Sequence, residues 1–184
     1  MYALVDFAFA NVNRALQDPQ QWCEVMILHL NTKYCHAITG VQGQQILPNI
    51  GSKSPQTLSQ SPRVTLTYTL VTCEPDYFEG QLGARNGPMG TRDFQSNLEA
   101  VALATGQTFL HLTYAYNAHL AARLAMQTYL ATVGSHKVGF CVLGQATDGA
   151  PLRVKGVQAL VEHNTMRYYL AIKRVEHLRQ QTAQ

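Results

Sequence analysis

Residues 156–179 read GVQALVEHNTMRYYLAIKRVEHLR, and this stretch decides the fold. Val157, Leu160, Val161, Tyr168, Ala171, Ile172, Val175 and Leu178 recur three or four positions apart, the spacing of one face of an α-helix. A stripe that broad has to lie against other apolar surface. Most of the chain upstream alternates apolar and polar residues, as strands with one dry and one wet face do. A curved antiparallel sheet around one long C-terminal helix buries both at once. The stripe is broken halfway by Asn164 and Thr165, whose polar groups are costly in a dry core without partners. A cavity between sheet and helix accommodates them.

Working back from the helix, LRVKG (152–156) leads into it, TDGAP (147–151) is a turn, and KVGFCVLG (137–144) is the last strand, with Val138, Phe140 and Val142 on one side. AHLAARLAMQTYLATV (118–133) is alanine-rich with apolar residues near helical spacing, so an extra helix precedes that strand and ends at Gly134. In TFLHLTYAY (108–116), Leu110, Leu112, Tyr114 and Tyr116 share one face, while Phe109, His111 and Thr113 share the other. Tyr77–Ala84 and the strand carrying Phe94, Ser96 and Leu98 form a hairpin across ARNGPMG (84–90). RVTLTYTLVT (63–72) alternates most clearly, with Val64, Leu66, Tyr68 and Leu70 against three threonines.

Residues 48–62 read as an irregular loop, Gln44–Leu47 as a short strand and KYCHAITG (33–40) as another. Tyr2–Phe9 is the first strand. Asn11 is placed as the N-cap of a helix that stops at Asp18-Pro19, and QQWCEVMIL (20–28) is a second short helix. The expected architecture is therefore α+β and a single domain over residues 1–184, with two short helices after the first strand and an extra helix before the last.

The totals narrow the function. Of 184 residues, 14% are charged and 46% hydrophobic, the balance of a globular chain and not of a disordered one. A net charge of +3 with scattered Lys and Arg gives no basic patch, so a nucleic-acid partner is not expected. No apolar run approaches the roughly 18 to 20 residues of a membrane-spanning helix. The sequence opens on MYALVDFAF with no visible signal peptide. Richness in Gln, Thr and Ser over Lys and Glu nevertheless fits an exported bacterial protein. Cys23 and Cys35 are about a dozen residues apart, so in an oxidising compartment they can form a disulfide, with two buried free thiols as the alternative. Cys73 and Cys141 read as solitary strand residues.

The order of elements and a few landmarks resemble the START-like (SRPBCC) superfamily, whose members share the helix-grip fold. The landmarks are the first strand, the helix ending at Asp18-Pro19, Trp22 just after it, the long alternating strands and the amphipathic last helix. The segments WCEVMILHLNTKYC, AARLAMQTYLATVGSHKVGF and EHNTMRYYLAI are also similar to those of an uncharacterised exported bacterial group within it. The helix at 118–133 departs from the family pattern, where a short turn is usual. The resemblance implies a hydrophobic cavity between sheet and last helix, holding a lipid or other apolar small molecule. It also implies a periplasmic or secreted protein whose signal peptide is not part of this sequence; a cytoplasmic one is the alternative.

The expected cavity residues are Trp22, Leu66, Tyr68, Leu112, Tyr114, Tyr116, Arg123, Asn164, Arg167 and Tyr168. Arg123 and Arg167 can meet a carboxylate or phosphate head group, since a guanidinium binds such groups bidentately. The plainer role for Arg167 is an ion pair with Asp93. The tyrosines can point hydroxyls inward or simply pack, and His111 faces outward by parity. Asn164 should find a partner in Tyr114, Tyr116, a water or the ligand. Cys23, His29, Cys35 and His36 match no usual zinc spacing, and no G-x-S-x-G, H-E-x-x-H or glycine-rich phosphate loop is present. No cofactor is expected. Two functions remain: a non-catalytic carrier or sensor of an apolar ligand, and as its alternative a cyclase or dehydratase-type enzyme working in the same cavity.

Overall fold

The computed structural model describes residues 1–41, 43–87, 90–118, 120–132 and 134–182, and their side chains except those at 120–123, 125 and 175–182. The elements run β1 (Tyr2–Val5), α1 (Phe9–Leu16), α2 (Pro19–Met26), β2 (Thr32–Gly40), β3 (Gly43–Ile50), β4 (Leu66–Cys73), β5 (Tyr77–Asn86), β6 (Thr91–Ala102) and β7 (Thr108–Ala118). They continue with α3 (Leu120–Ala131), β8 (Val138–Gln145), β9 (Pro151–Lys155) and α4 (Gly156–Thr182). The fold is α+β. Seven strands form one antiparallel sheet in the order β1-β7-β6-β5-β4-β3-β2, and β8 and β9 form a separate hairpin.

Alternation sets the two faces of the sheet. Val64, Leu66, Tyr68, Leu82, Leu98 and Leu110 are buried on one face, whereas Thr65, Thr67 and Thr69 are exposed on the other. The rhythm of β4 fails at Leu70, which is exposed, because the register with β5 shifts between Leu70 and Thr72. The buried face carries α1, α2 and α4. One cluster joins Val5, Phe9, Val12 and Leu16 to Phe78, Leu98, Leu110 and Ile172; a second gathers Cys23, Ile46, Val64, Leu66, Tyr68 and Leu82. Trp22 packs against both.

Burial overrides local signals in several places. The first strand ends at Val5, and Phe9, Val12, Ala15 and Leu16 form the buried face of α1. That helix starts after Ala8 with no side-chain cap, so Asn11 lies inside it and is not its N-cap. Asp18 caps the next helix instead, its Oδ1 accepting from the N–H of Gln20 at 2.9 Å, with Pro19 in the first turn. Strand β3 runs on through Pro48 to Ile50, where a loop was expected; Pro48 lacks an N–H, but its carbonyl accepts from Val64 at 2.9 Å.

The end of the chain differs most from expectation. β8 does not join the main sheet. LRVK, read as a lead into the helix, is strand β9, and Phe140 is 46% exposed on the hairpin. The first turns of α4 rest on this hairpin. Glu162 Oε2 accepts from the backbone N–H groups of Phe140 and Cys141, and His163 Nε2 lies 2.9 Å from the Val138 carbonyl. Gly139 meets Ala159 so closely that a Cβ there would sit 3.3 Å from the Ala159 Cα. Among the described side chains the buried line of α4 is therefore Ala159, Thr165, Ala171 and Ile172; Val157, assigned to the stripe from spacing, is 44% exposed, and the side chains of Val175 and Leu178 lie outside the described residues. Farther along, Tyr169 donates its hydroxyl to the Leu4 carbonyl at 3.1 Å and Ile172 enters the core, so α4 reaches across the sheet.

Candidate functional site

The sequence places Trp22 one turn after the Asp18-Pro19 start of α2, on the side turned toward α1 and the sheet. Its indole N–H donates to the Leu16 carbonyl at 2.8 Å, and the Tyr68 hydroxyl donates to the same oxygen at 2.9 Å. Leu16 is the last residue of α1, so its carbonyl has no partner within the helix; the two side chains supply one. Burial first of all pushes the Tyr68 phenol up to about 12. One residue on, Cys23 is disulfide-bonded to Cys35 of β2, and Gln20 Oε1 accepts from the N–H of Ala37 at 3.2 Å. Helix α2 is thus fixed to the edge of the sheet.

Between this helix pair, the sheet and α4 lies a cavity of about 270 Å³. Leu82, Phe94, Leu98 and Leu112 form its floor, Val12, Leu16, Trp22, Val25 and Met26 its wall, and Asn164, Thr165, Tyr168 and Ile172 its roof. Apolar side chains dominate, and the polar groups gather toward one end: His29 and Asn31 beyond α2, Tyr114 and Ser96 on the sheet, and Asn164 and Thr165 above.

Several of these polar groups have partners among the described residues, whereas Oε1 of Gln21, which also lines the cavity, is buried without one. Thr165 donates to the Val161 carbonyl one turn back at 2.8 Å, which explains how a hydroxyl is tolerated on the buried line of α4. Asn164 Oδ1 accepts from Arg167 at 3.1 Å, and Asn164 also bonds to His29; Tyr114 and Tyr116, the expected partners, are not the ones it uses. Tyr114 is raised to about 12 by burial and by neighbouring Tyr116, with a hydrogen bond to Thr165 pulling the other way. Burial also raises Tyr168. His29 stacks on Tyr168 at 5.3 Å. Its pKa is lowered by burial and then by Arg167, opposed by the Asn164 hydrogen bond.

Of the residues expected in the cavity, Trp22, Leu112, Tyr114, Asn164 and Tyr168 line it. Leu66 and Tyr68 lie in the second core cluster and do not line it. Tyr116 is 41% exposed, stacked on Tyr114 at 6.3 Å; the alternation of β7 continues past the part of the sheet that α4 covers. Arg167 stands outside the lining and reaches the cavity through Asn164. Its expected partner Asp93 accepts from Asn117 instead, at 3.1 Å. The side chain of Arg123 lies outside the described residues. His29, Asn31 and Phe94 went unrecognised in the sequence as cavity residues. The signal for His29 was its position just past α2, where the chain turns back under the roof.

On the opposite face of the sheet, His111 points outward as parity required. Its Nδ1 is 2.7 Å from Glu99 Oε2, its ring stacks on Tyr2 at 4.4 Å, and Tyr77 donates to Glu99 Oε1 at 2.9 Å.

No family model and no curated protein matches this sequence. Among solved structures, the fold is similar to the crystal structure of a conserved protein from Geobacillus kaustophilus, with a TM-score of 0.52, 10% identity, and coverage of 96% of this chain and 92% of that one. A solution NMR structure from Thermobifida fusca aligns with a TM-score of 0.44 and 12% identity, over 91% of this chain and 92% of the other. The Geobacillus likeness is one of fold: an α+β chain with a large antiparallel sheet and a C-terminal helix.

Proposed function

We propose that this chain is a START-like, helix-grip protein that binds an apolar small molecule or lipid chain in the cavity under α4. The observation that carries the reading is the cavity itself, enclosed by sheet, α2 and α4 and lined mainly by apolar side chains. Its volume of about 270 Å³ equals that of roughly nine waters at about 30 Å³ each, so it suits a ligand of around ten heavy atoms or the end of a longer chain. The Cys23–Cys35 bond supports a periplasmic or secreted location.

A cyclase or dehydratase-type reaction is the second reading, favoured by His29 and Tyr114 at the polar end. It has less support, because His29 stacks on Tyr168 and, among the described residues, the charges that act on it are those of Arg167 and Lys53 and not that of a carboxylate. The test is native mass spectrometry of protein purified from its source, together with titration of an environment-sensitive apolar dye. Wild type should carry or take up one apolar molecule, and Leu112→Phe, which fills the cavity, should lose it while staying folded. Undiminished uptake by Leu112→Phe would refute the cavity as the binding site.

A further inference from the structure

One polar atom of the cavity lining stands apart from the others. Gln21 lies in the first turn of α2, and Gln21, Trp22, Val25 and Met26 are the residues of that helix that line the cavity, on one helix face. His29, at the polar end, follows the last turn of α2, so Gln21 marks the opposite end of this wall. Its Nε2 donates to Asp18 Oδ2 at 3.3 Å, while Asp18 Oδ1 accepts from the N–H of Gln20 as the helix cap. That contact fixes which way the amide faces: turned over, its oxygen would meet a carboxylate oxygen, acceptor against acceptor. Oε1 is therefore the atom turned from Asp18 toward the cavity, and it is buried with no hydrogen-bond partner among the described residues.

The surrounding wall has no donor to spare for this oxygen. The indole N–H of the next residue, Trp22, is committed to the Leu16 carbonyl, and so is the Tyr68 hydroxyl. The other lining side chains of α1 and α2, Val12, Ala15, Leu16, Val25 and Met26, carry no donor. At the far end, by contrast, the protein answers its own polar groups: Thr165 donates to the Val161 carbonyl, Asn31 Nδ2 to the Gly51 carbonyl, and Asn164 accepts from Arg167. A buried acceptor without a donor is costly, and a guest that brings its own O–H or N–H into an apolar cavity removes that cost. We infer that the ligand is a neutral apolar molecule of about ten heavy atoms carrying a hydroxyl or ring N–H, which it donates to Gln21 Oε1 while its body lies against Trp22, Leu98 and Leu112. An ionised fatty acid has no proton to give and does not meet this demand. The inference rests on the reading of the cavity as an apolar binding site and adds to it the hydrogen-bonding class of the ligand.

The experiment titrates the full chain at neutral pH with two matched pairs of probes, 2-naphthol with 2-methylnaphthalene and indole with 1-methylindole, each pair differing by the donor. The same titrations are made on Gln21→Met, which keeps the length of the side chain and removes its oxygen. The preference for the donor-bearing probe, taken as the ratio of affinities within a pair, should fall at least about tenfold from wild type to variant, as the loss of one hydrogen bond to a buried group supplies. Taking the ratio within each protein cancels differences of size and hydrophobicity between the probes. The pair with the larger fall tells a hydroxyl ligand from an N–H ligand. A change of less than about threefold in both pairs would overturn the contact with Gln21 and leave the apolar cavity standing. Should Gln21→Met fail to fold, Gln21→Leu carries the comparison. If that fails too, wild type decides: it should favour indole over the more hydrophobic 1-methylindole, and the reverse preference would overturn the inference. If none of the four probes binds wild type, the cavity reading fails and this one with it.

Discussion

The Leu16 carbonyl accepts two hydrogen bonds from side chains on different elements, so removing one donor should matter far less than removing both. Tyr68→Phe deletes a buried hydroxyl that donates at 2.9 Å, but leaves the Trp22 indole bonded to the same oxygen at 2.8 Å. The net loss is that of one ordinary hydrogen bond, about 1 kcal/mol. In a Trp22→Phe background the same substitution strands the last carbonyl of α1 inside the core, which adds the desolvation cost of an unpaired buried group, about 1 to 3 kcal/mol. The coupling between the two sites should then be about 1 to 3 kcal/mol, well above the roughly 0.5 kcal/mol seen for independent positions. The assay is urea unfolding of wild type, both single variants and the double variant. At about 2 to 4 °C per kcal/mol for a chain of this size, the coupling is also visible in melting temperatures. Additivity within error would refute the shared acceptor and reduce Trp22 to a packing residue, for which Trp22→Ala alone should still cost about 3 to 5 kcal/mol.

Three further outcomes follow from the site. Asn164→Leu should leave the protein folded and alter what is extracted with it, because among the described residues the amide bonds to Arg167 and His29 at the cavity end; an unfolded variant would show the amide to be a structural clasp. For His29 the folded-state pKa lies below the ordinary 6.5, so the unfolded chain takes up a proton that the folded one refuses. Stability is full above 6.5 and falls as pH drops from there toward the folded value, and His29→Gln should flatten that segment of the stability–pH profile; an unchanged slope would contradict the burial of the ring. Alkylation without reductant, read by peptide mass, should label Cys73 and Cys141, which are exposed free thiols, and spare Cys23 and Cys35; labelling of the latter pair would remove the disulfide and weaken the case for export.

Much of the fold was legible because burial writes itself into periodicity. Val64, Leu66 and Tyr68 alternate with threonines in the sequence and alternate buried and exposed in the sheet. Parity likewise put His111 outside and Leu110 inside. Alternation specifies the faces of a strand but not its neighbour, so Val138, Phe140 and Val142 gave no hint that their strand pairs with β9 away from the main sheet. Helical spacing marks a face but not its depth. Val157 and Ala159 both lie near the stripe, and only the close approach of Gly139 selects Ala159. The cavity was anticipated from Asn164 and Thr165, yet its polar end depends on His29 and Asn31, brought there by the turn after α2 and by the Asn31–Gly51 backbone pairing. Such pairings between distant loops leave no local trace.

The attachment of α2 to β2 bears on how copies of this chain meet one another. β2 is a terminal strand of the sheet, and an uncovered strand border offers backbone donors and acceptors to any similar border. Gln20 occupies one such donor, on Ala37, and the Cys23–Cys35 bond holds the helix that carries Gln20 against that border. Reduction therefore does more than loosen a wall of the cavity: it unlatches the shield of a nine-residue strand, and light scattering should rise with protein concentration in reductant while oxidised protein stays clear.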